Sequence, residues 1–402
     1  MKRFSPAVIV LAAGFMLMLF HGGSRFVMGL TLGPMSDDLG WSRATLSAAV
    51  LVFLVVSSLA LPFAGRLVDR YDTRAVLAIS LVLACLGIGL MGVIDAPWQA
   101  IVLYGILYGA ASACTSTPTV AVMVSRWFPH RLGIANSVAL SGMGIGQLVI
   151  ILALTSQLDT VGWRGSFIAL GIAGAVLILP MTFFAISPGK NDTPAVAARA
   201  DAPASPLTDP GLRDVLRARP FWLLVAMYGI CGFQDHFVAT HIVAFARDQG
   251  LSYVLAGNVF AFMGLFGLIG VLGSGYLSDR FGPIVPTVLC FVLRVVIFTL
   301  AAVSDATFAI VGFALLYGMT FWITAPLTAV YTREHFGTTN LGTINGLITM
   351  VHNGFGGLGA YLGGVVFDMY GSYGPILQLM IGLALVALLL ALLIRANDAP
   401  KP

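Results

Sequence analysis

Charge is what this 402-residue chain has least of. Only 9% of its residues are Asp, Glu, Lys or Arg, against about 25% in a soluble domain. A water-soluble globule of this length would have almost nothing ionic for its surface, which excludes a soluble enzyme and a disordered protein. A nucleic-acid binder is excluded too: the net charge of +4 comes from bases confined largely to short loops. Cysteine is also scarce. Cys85, Cys114, Cys231 and Cys290 lie far apart in apolar runs with no C-x-x-C pair, so neither a disulfide framework nor a metal site is expected. No G-x-x-x-x-G-K-[ST] loop occurs, so the chain does not drive its work with ATP. No nucleophile/base pair stands out, which argues against a membrane-embedded enzyme, and no cofactor is implied. Long unbroken apolar runs replace the short alternating strands of an outer-membrane barrel.

Hydrophobic residues make up 58% of the chain and the mean hydropathy is +0.95. About 20 apolar residues cross the roughly 30 Å of a bilayer core. Windows of that length predict twelve spans, near 8–32, 44–64, 75–93, 99–124, 132–156, 165–186, 220–242, 254–277, 284–303, 307–330, 340–366 and 374–395. The first follows Met1-Lys2-Arg3 like a signal peptide, but it is too long for one and no A-x-A site follows.

Sixteen of the 21 Lys and Arg fall in the terminal segments and alternate loops on one side; the other side holds Arg43, Arg164 and Arg247, while Arg25 and Arg294 lie inside spans. The positive-inside rule then predicts both termini in the cytoplasm. A polar linker at 187–219 separates an N-terminal bundle, 1–186, from a C-terminal bundle, 220–402.

The two halves repeat. Asp38-Leu39-Gly40-Trp41-Ser42 answers Asp248-Gln249-Gly250-Leu251-Ser252. Gly65, Asp69 and Arg70 answer Gly275, Asp279 and Arg280. Leu107-Tyr108-Gly109 answers Leu316-Tyr317-Gly318, and Leu132-Gly133 with Asn136 answers Leu341-Gly342 with Asn345. The four groups keep chain order at offsets of 210 or 209. Parallel repeats of six spans suit alternating access about a central site.

Gly65-Arg66-Leu67-Val68-Asp69-Arg70-Tyr71-Asp72-Thr73-Arg74 resembles the cytoplasmic signature of the major facilitator superfamily, with Asp72 at its usual second glycine. Gly275 to Gly282 repeats it without the trailing base. The resemblance implies an all-α membrane protein of two pseudo-symmetric six-helix bundles. It implies a gating role for Gly65, Asp69, Arg70, Arg74, Gly275, Asp279 and Arg280, the glycines permitting close helix contact. His21-Gly22-Gly23-Ser24-Arg25, Gly40-Trp41-Ser42-Arg43-Ala44 and Trp127-Phe128-Pro129-His130-Arg131 look like bacterial monocarboxylate and oxalate/formate-type porters.

An arginine at the bilayer centre costs about 2.5–3.5 kcal/mol on insertion scales, so it normally meets water or a partner. Arg25 is the candidate anchor for a substrate carboxylate, because guanidinium is a planar fork. Its bland alternatives are snorkelling outward or pairing with Asp235. Tyr104 and Tyr108, Tyr228, Tyr317, Trp322, His352 and Asn353 are candidate substrate contacts. Asp235 and His236 are candidate carriers of a coupling proton, and Arg294 has no evident partner. The expected protein is a monomeric proton symporter of a small organic anion with one carboxylate, in a plasma membrane. Its partners are that acid, the proton and lipid. An anion exchanger, or a proton-coupled efflux pump for apolar or cationic compounds using Asp235 with Arg25 structural, stays open, as does a non-transporting sensor.

Overall fold

A computed structural model describes residues 6–125, 127–128, 132–180, 211–337 and 340–398. The described residues form helices and no strands, as lipid demands, since a helix satisfies its own backbone groups. We label the long helices α1 (Pro6–Leu39), α2 (Arg43–Arg70), α3 (Thr73–Gly89), α4 (97–125), α5 (132–161), α6 (163–178), α7 (Arg219–Asp248), α8 (Tyr253–Phe281), α9 (Ile284–Val303), α10 (Thr307–Phe336), α11 (Leu341–Tyr370) and α12 (Gly374–Asp398). The predicted linker is described only from residue 211, where a short helix, Leu212–Arg217, precedes α7. The rest of 187–219 lies outside the described residues.

Hydropathy alone marks ten crossings. The 42-residue helical run Leu132–Ala173 is two of the twelve, because Gly162 turns the chain at φ 66°. Helix α11 is less apolar than the other spans because it carries eight glycines along with Thr, Asn and His.

Backbone chemistry explains the duplicated turns. Gly40 and Gly250 sit at φ 65° and 86°, a left-handed region natural to glycine. Two residues on, Ser42 and Ser252 cap α2 and α8 by accepting hydrogen bonds from the backbone N–H of Thr45 and Leu255. Proline breaks the same helix of each half. Pro118 follows the interruption of α4 at Thr115 and Ser116, and Pro326 follows that of α10 at Trp322 and Ile323. Each lacks the N–H that would bond the carbonyl four residues earlier.

The bundles meet along α2 against α11 and α5 against α8. At the end bearing Arg43 they nearly touch: a methyl at Gly364 would meet the Ala44 backbone, one at Gly357 would meet Leu51, and one at Gly257 would meet Thr155. A methyl at Gly29 would overlap the Ala239 carbonyl of α7. Toward the other end, Gly273, Gly342, Gly346 and Gly354 have nothing within 4 Å of such a methyl. The halves therefore close at the Arg43 end and part at the Arg70 end.

The motif glycines lie at the parted end. Gly65 and Gly275 also have open space around them; they belong to the parted ends and make no close helix contact in this conformation. Nor are the motifs loops. Gly65 to Arg70 forms the last turns of α2, and Gly275 to Phe281 those of α8. Arg70 and Arg280 in the final turns complement the helix dipole. Asp72 caps α3 through the Arg74 N–H, Arg280 donates to Tyr276 one turn back, and Asp279 is exposed. The Asp69 side chain lies outside the described part.

Candidate functional site

Two arginines lie at membrane depth, and their surroundings differ. Arg294 on α9 is fully buried, with 0% exposure. Its Nη2 donates to Asp235 Oδ1 at 2.6 Å and to the Thr320 carbonyl at 3.1 Å. Its Nη1 reaches Gln234 Oε1 at 3.1 Å and Cys231 Sγ at 3.2 Å, and its Nε reaches Thr320 Oγ1 at 3.1 Å. Tyr317 donates to the same Asp235 oxygen at 2.8 Å. The break in α10 just beyond Thr320 helps, since irregular backbone inside a membrane survives only where its groups are satisfied. Arg294 is thus neutralised and hydrogen-bonded on every nitrogen. Asp235 is its counter-ion and not that of Arg25.

Arg25 on α1 is half-buried. Its Nη2 lies 3.2 Å from Nε2 of His236 on α7, an imidazole where a carboxylate would be the usual partner of a buried cation. A guanidinium can only donate, so Nε2 accepts. Tyr104 donates to the Arg25 carbonyl at 2.9 Å, and Tyr108 shares a 2.8 Å hydrogen bond with Ser24. These tyrosines lie in a π-helical stretch of α4, Ile101–Tyr108. Such stretches often mark functional sites. Arg25, Tyr104, His236 and Thr240 border a cavity of about 10 Å³, room for roughly one water.

His352 on α11 joins the two arginine environments. Its ring centroid is 5.9 Å from that of His236, and its Nε2 is 4.0 Å from Asp235 Oδ2. Glycine makes this approach possible: methyls at Gly232, Gly356 and Gly359 would strike the His352 carbonyl, the His236 ring and the Phe233 carbonyl. Cys231, Asp235 and His352 bring donor atoms within 4.8 Å of one another. The guanidinium takes Asp235 Oδ1, and Oδ2 is left to face Cys231 and His352.

The sequence-predicted contacts divide. Arg25, His236, His352 and Asp235 come together in one chain of contacts. The hydroxyls of Tyr104, Tyr108 and Tyr317 are engaged with protein partners, as is that of Tyr228, which donates to the Thr324 carbonyl at 2.7 Å. These four brace the site from within. Trp322 packs edge-on against Phe26 and Phe321, and Asn353 is half-buried beside His352.

A second polar cluster was missed from sequence. Arg43 forks onto Asp248 at 2.6 and 2.8 Å and donates to Tyr373 at 2.9 Å. Asp368 accepts from the backbone N–H groups of Arg43 and Ala44, and His241 Nδ1 lies 2.9 Å from the Tyr373 hydroxyl. Arg43 stands in the first half and all its partners in the second. The one available signal was Asp248 itself, in the duplicated turn. Its repeat mate Asp38 stays within its own half, beside Trp163 Nε1 at 3.1 Å and Arg164 at 3.6 Å.

The sequence profile of the Major Facilitator Superfamily matches residues 14–360. The chain belongs to the Major Facilitator Superfamily. This transporter is 26% identical over 349 residues to the uncharacterized MFS-type transporter YcxA of Bacillus subtilis, covering 85% of the chain and 83% of YcxA. It is 24% identical over 304 residues to the oxalate:formate antiporter of Oxalobacter formigenes, covering 73% of the chain and 69% of that protein. Monocarboxylate transporter 13 of Bos taurus shares 25% identity over 332 residues, covering 82% and 75%. The nucleoside transporter NupG matches the fold with a TM-score of 0.77 at 15% identity, covering 99% of this chain and all of that one. The family is thus that expected from the gating motif, and the all-helical two-bundle architecture stands with it.

Proposed function

We propose that this transporter moves a small organic anion bearing one carboxylate across a bacterial plasma membrane together with a proton, as a monomer with both termini cytoplasmic. Residues 1–186 and 220–402 act as the two rocking bundles and 187–219 as their tether. With that orientation the parted end faces the cytoplasm, and the conformation described is inward-open with its outer side sealed.

One observation carries the reading. Of the two arginines at membrane depth, Arg294 is neutralised by Asp235, whereas Arg25, among the described residues, meets an imidazole in place of a carboxylate and is half-buried at the seam. A guanidinium with unfilled donors in a low-dielectric site attracts a carboxylate bidentately. One such cation among the described residues suits a single carboxylate better than a dianion. His236 and Asn353 flank the anion, while His352 stands behind His236 and faces Asp235. The names of the monocarboxylate and oxalate:formate relatives point the same way. The Arg294 pairing of Asp235 weighs against an efflux pump that would use that carboxylate to grip a cationic drug.

The test is counterflow of labelled pyruvate in proteoliposomes, with excess unlabelled mono- and dicarboxylates as competitors. Monocarboxylates should suppress it and dicarboxylates should not. Arg25→Lys keeps the charge, loses the fork, and should cut the signal roughly tenfold or more, the worth of one bidentate contact of about 1.4 kcal/mol or more. Full activity in Arg25→Lys, or no response to any organic anion, sinks the proposal.

A further inference from the structure

We propose that the coupling proton is carried on Nε2 of His352, with Asp235 as its fixed counter-ion, and that carboxylate binding at Arg25 promotes its uptake. The inference rests on the proton-linked reading above and replaces the carrier that sequence suggested.

The tautomer follows from the hydrogen bonds. His352 Nδ1 is 3.1 Å from the Tyr228 carbonyl, which can only accept, so Nδ1 bears the hydrogen of the neutral ring. Nε2 then holds the lone pair, and it points at Asp235 Oδ2 from 4.0 Å. A proton added there meets a carboxylate after a small ring movement and makes a charge-assisted bond. No other bond in the cluster has to break.

The alternatives are less suited. Asp235 is 2% exposed, and its oxygens accept from Arg294, Tyr317 and Cys231; a proton on it would strand the buried guanidinium. His236 offers Nε2 to Arg25, so protonating it sets two cations face to face. The His352 side chain is 19% exposed, the most accessible of the three. The groups facing it are Arg25 from α1, Tyr228, Cys231, Asp235 and His236 from α7, Arg294 from α9 and Tyr317 from α10.

Coupling follows from charge. By Coulomb's law the Asp235 carboxylate, 4.0 Å from Nε2, favours imidazolium at His352, while the guanidinium groups of Arg25 and Arg294 oppose it. Arg294 is already neutralised by Asp235. A carboxylate on Arg25 removes the remaining opposing charge, so anion and proton each strengthen the binding of the other. The proton taken up from one side, with the anion, leaves with it on the other. The net charge carried is zero and His352 returns to its neutral tautomer.

The experiment uses the full chain in lipid nanodiscs with 15N-labelled histidine, the His352 signal being assigned through His352→Gln. Falling pH should convert that signal from the Nδ1–H tautomer to imidazolium across the window of pH in which the protein stays folded. Saturating pyruvate should raise the midpoint by roughly half a unit or more, and Asp235→Asn should lower it. Absence of titration in that window, or a midpoint indifferent to Asp235→Asn, overturns the proposal. Asp235→Asn exposes a buried guanidinium to a missing partner, so a flux measurement stands beside it. In proteoliposomes His352→Gln should lose roughly tenfold or more of pyruvate uptake driven by a pH gradient while counterflow falls by less than about threefold. An equal fall in both overturns the proposal. Titration at His352 that depends on Asp235, in a protein that neither binds nor exchanges any carboxylate, supports the proton site and removes the carboxylate reading instead.

Discussion

Arg43 and Asp248 face each other across the two bundles through a bidentate contact of 2.6 and 2.8 Å. Arg43 also lies flat over the Phe367 ring, 3.6 Å from its centroid. Every element of this lock joins the first half of the chain to the second, so it exists only while that end is shut. The pair is partly solvated, with side-chain exposures of 12% and 30%, and is worth about 1 kcal/mol after screening. Asp248→Asn should therefore raise the population open at that end roughly fivefold. A cysteine placed at Thr240, beside the Arg25 cavity, should react faster with an impermeant maleimide in that background. An unchanged labelling rate means that the lock does not hold the seal.

The Arg294–Asp235 pair makes a stability prediction. Arg294→Leu strands a buried carboxylate and should cost about 3–5 kcal/mol. Arg25→Leu removes a cation that has no carboxylate partner among the described residues and should change Tm little. Adding Asp235→Asn to Arg294→Leu should recover much of the loss, because no lone charge remains. Thermal unfolding of the purified variants decides this; similar melting of Arg25→Leu and Arg294→Leu would contradict the division of roles.

Glycines at the two ends should respond in opposite senses. Alanine at Gly364 or Gly29 meets backbone across the closed seam and disfavours the present conformation by about 1–3 kcal/mol. Alanine at Gly65 or Gly275 meets nothing here. These two should melt like the parent yet transport poorly, since the opposite conformation needs their close approach. Normal transport by both would remove the gating role of the motif glycines.

Alkali should loosen the same lock. Tyr373 lies in the short connection before α12, and burial pushes its phenol above the ordinary tyrosine range, with the nearby Arg43 opposing. A phenol raised in this way is neutral in the folded chain while the unfolded one ionises near pH 10. Its contribution is complete below that pH and is lost as pH climbs toward the folded value. Tyr373→Phe should flatten the fall of Tm above about pH 10, and an unaltered alkaline limb would exclude the tyrosine.

Much of this protein was readable in one dimension because bilayers impose one-dimensional rules. A crossing needs a run of about 20 apolar residues, and topology follows loop charge, so twelve spans and their expected orientation came directly from hydropathy and arginine placement. Duplication showed itself because both halves solve the same turn the same way, with Gly40 and Gly250 in the left-handed region and Ser42 and Ser252 as caps. Arg25 and Asp235 were visible as anomalies, since charge at membrane depth is rare.

Partners were not visible, because a hydrogen bond depends on distance in space and residues 59 positions apart leave no trace of adjacency. Nothing in the sequence says that Asp235 turns to Arg294 while Arg25, a better-placed cation by linear reading, turns to His236. Asp38 and Asp248 hold the same rank in two repeats, yet one bonds within its own bundle and the other across the seam. Helix packing made those choices: glycines of α11 let His352 reach α7, the break in α10 after Phe321 stands beside the Thr320 carbonyl that Arg294 uses, and the closing of one end brought Arg43 onto Asp248.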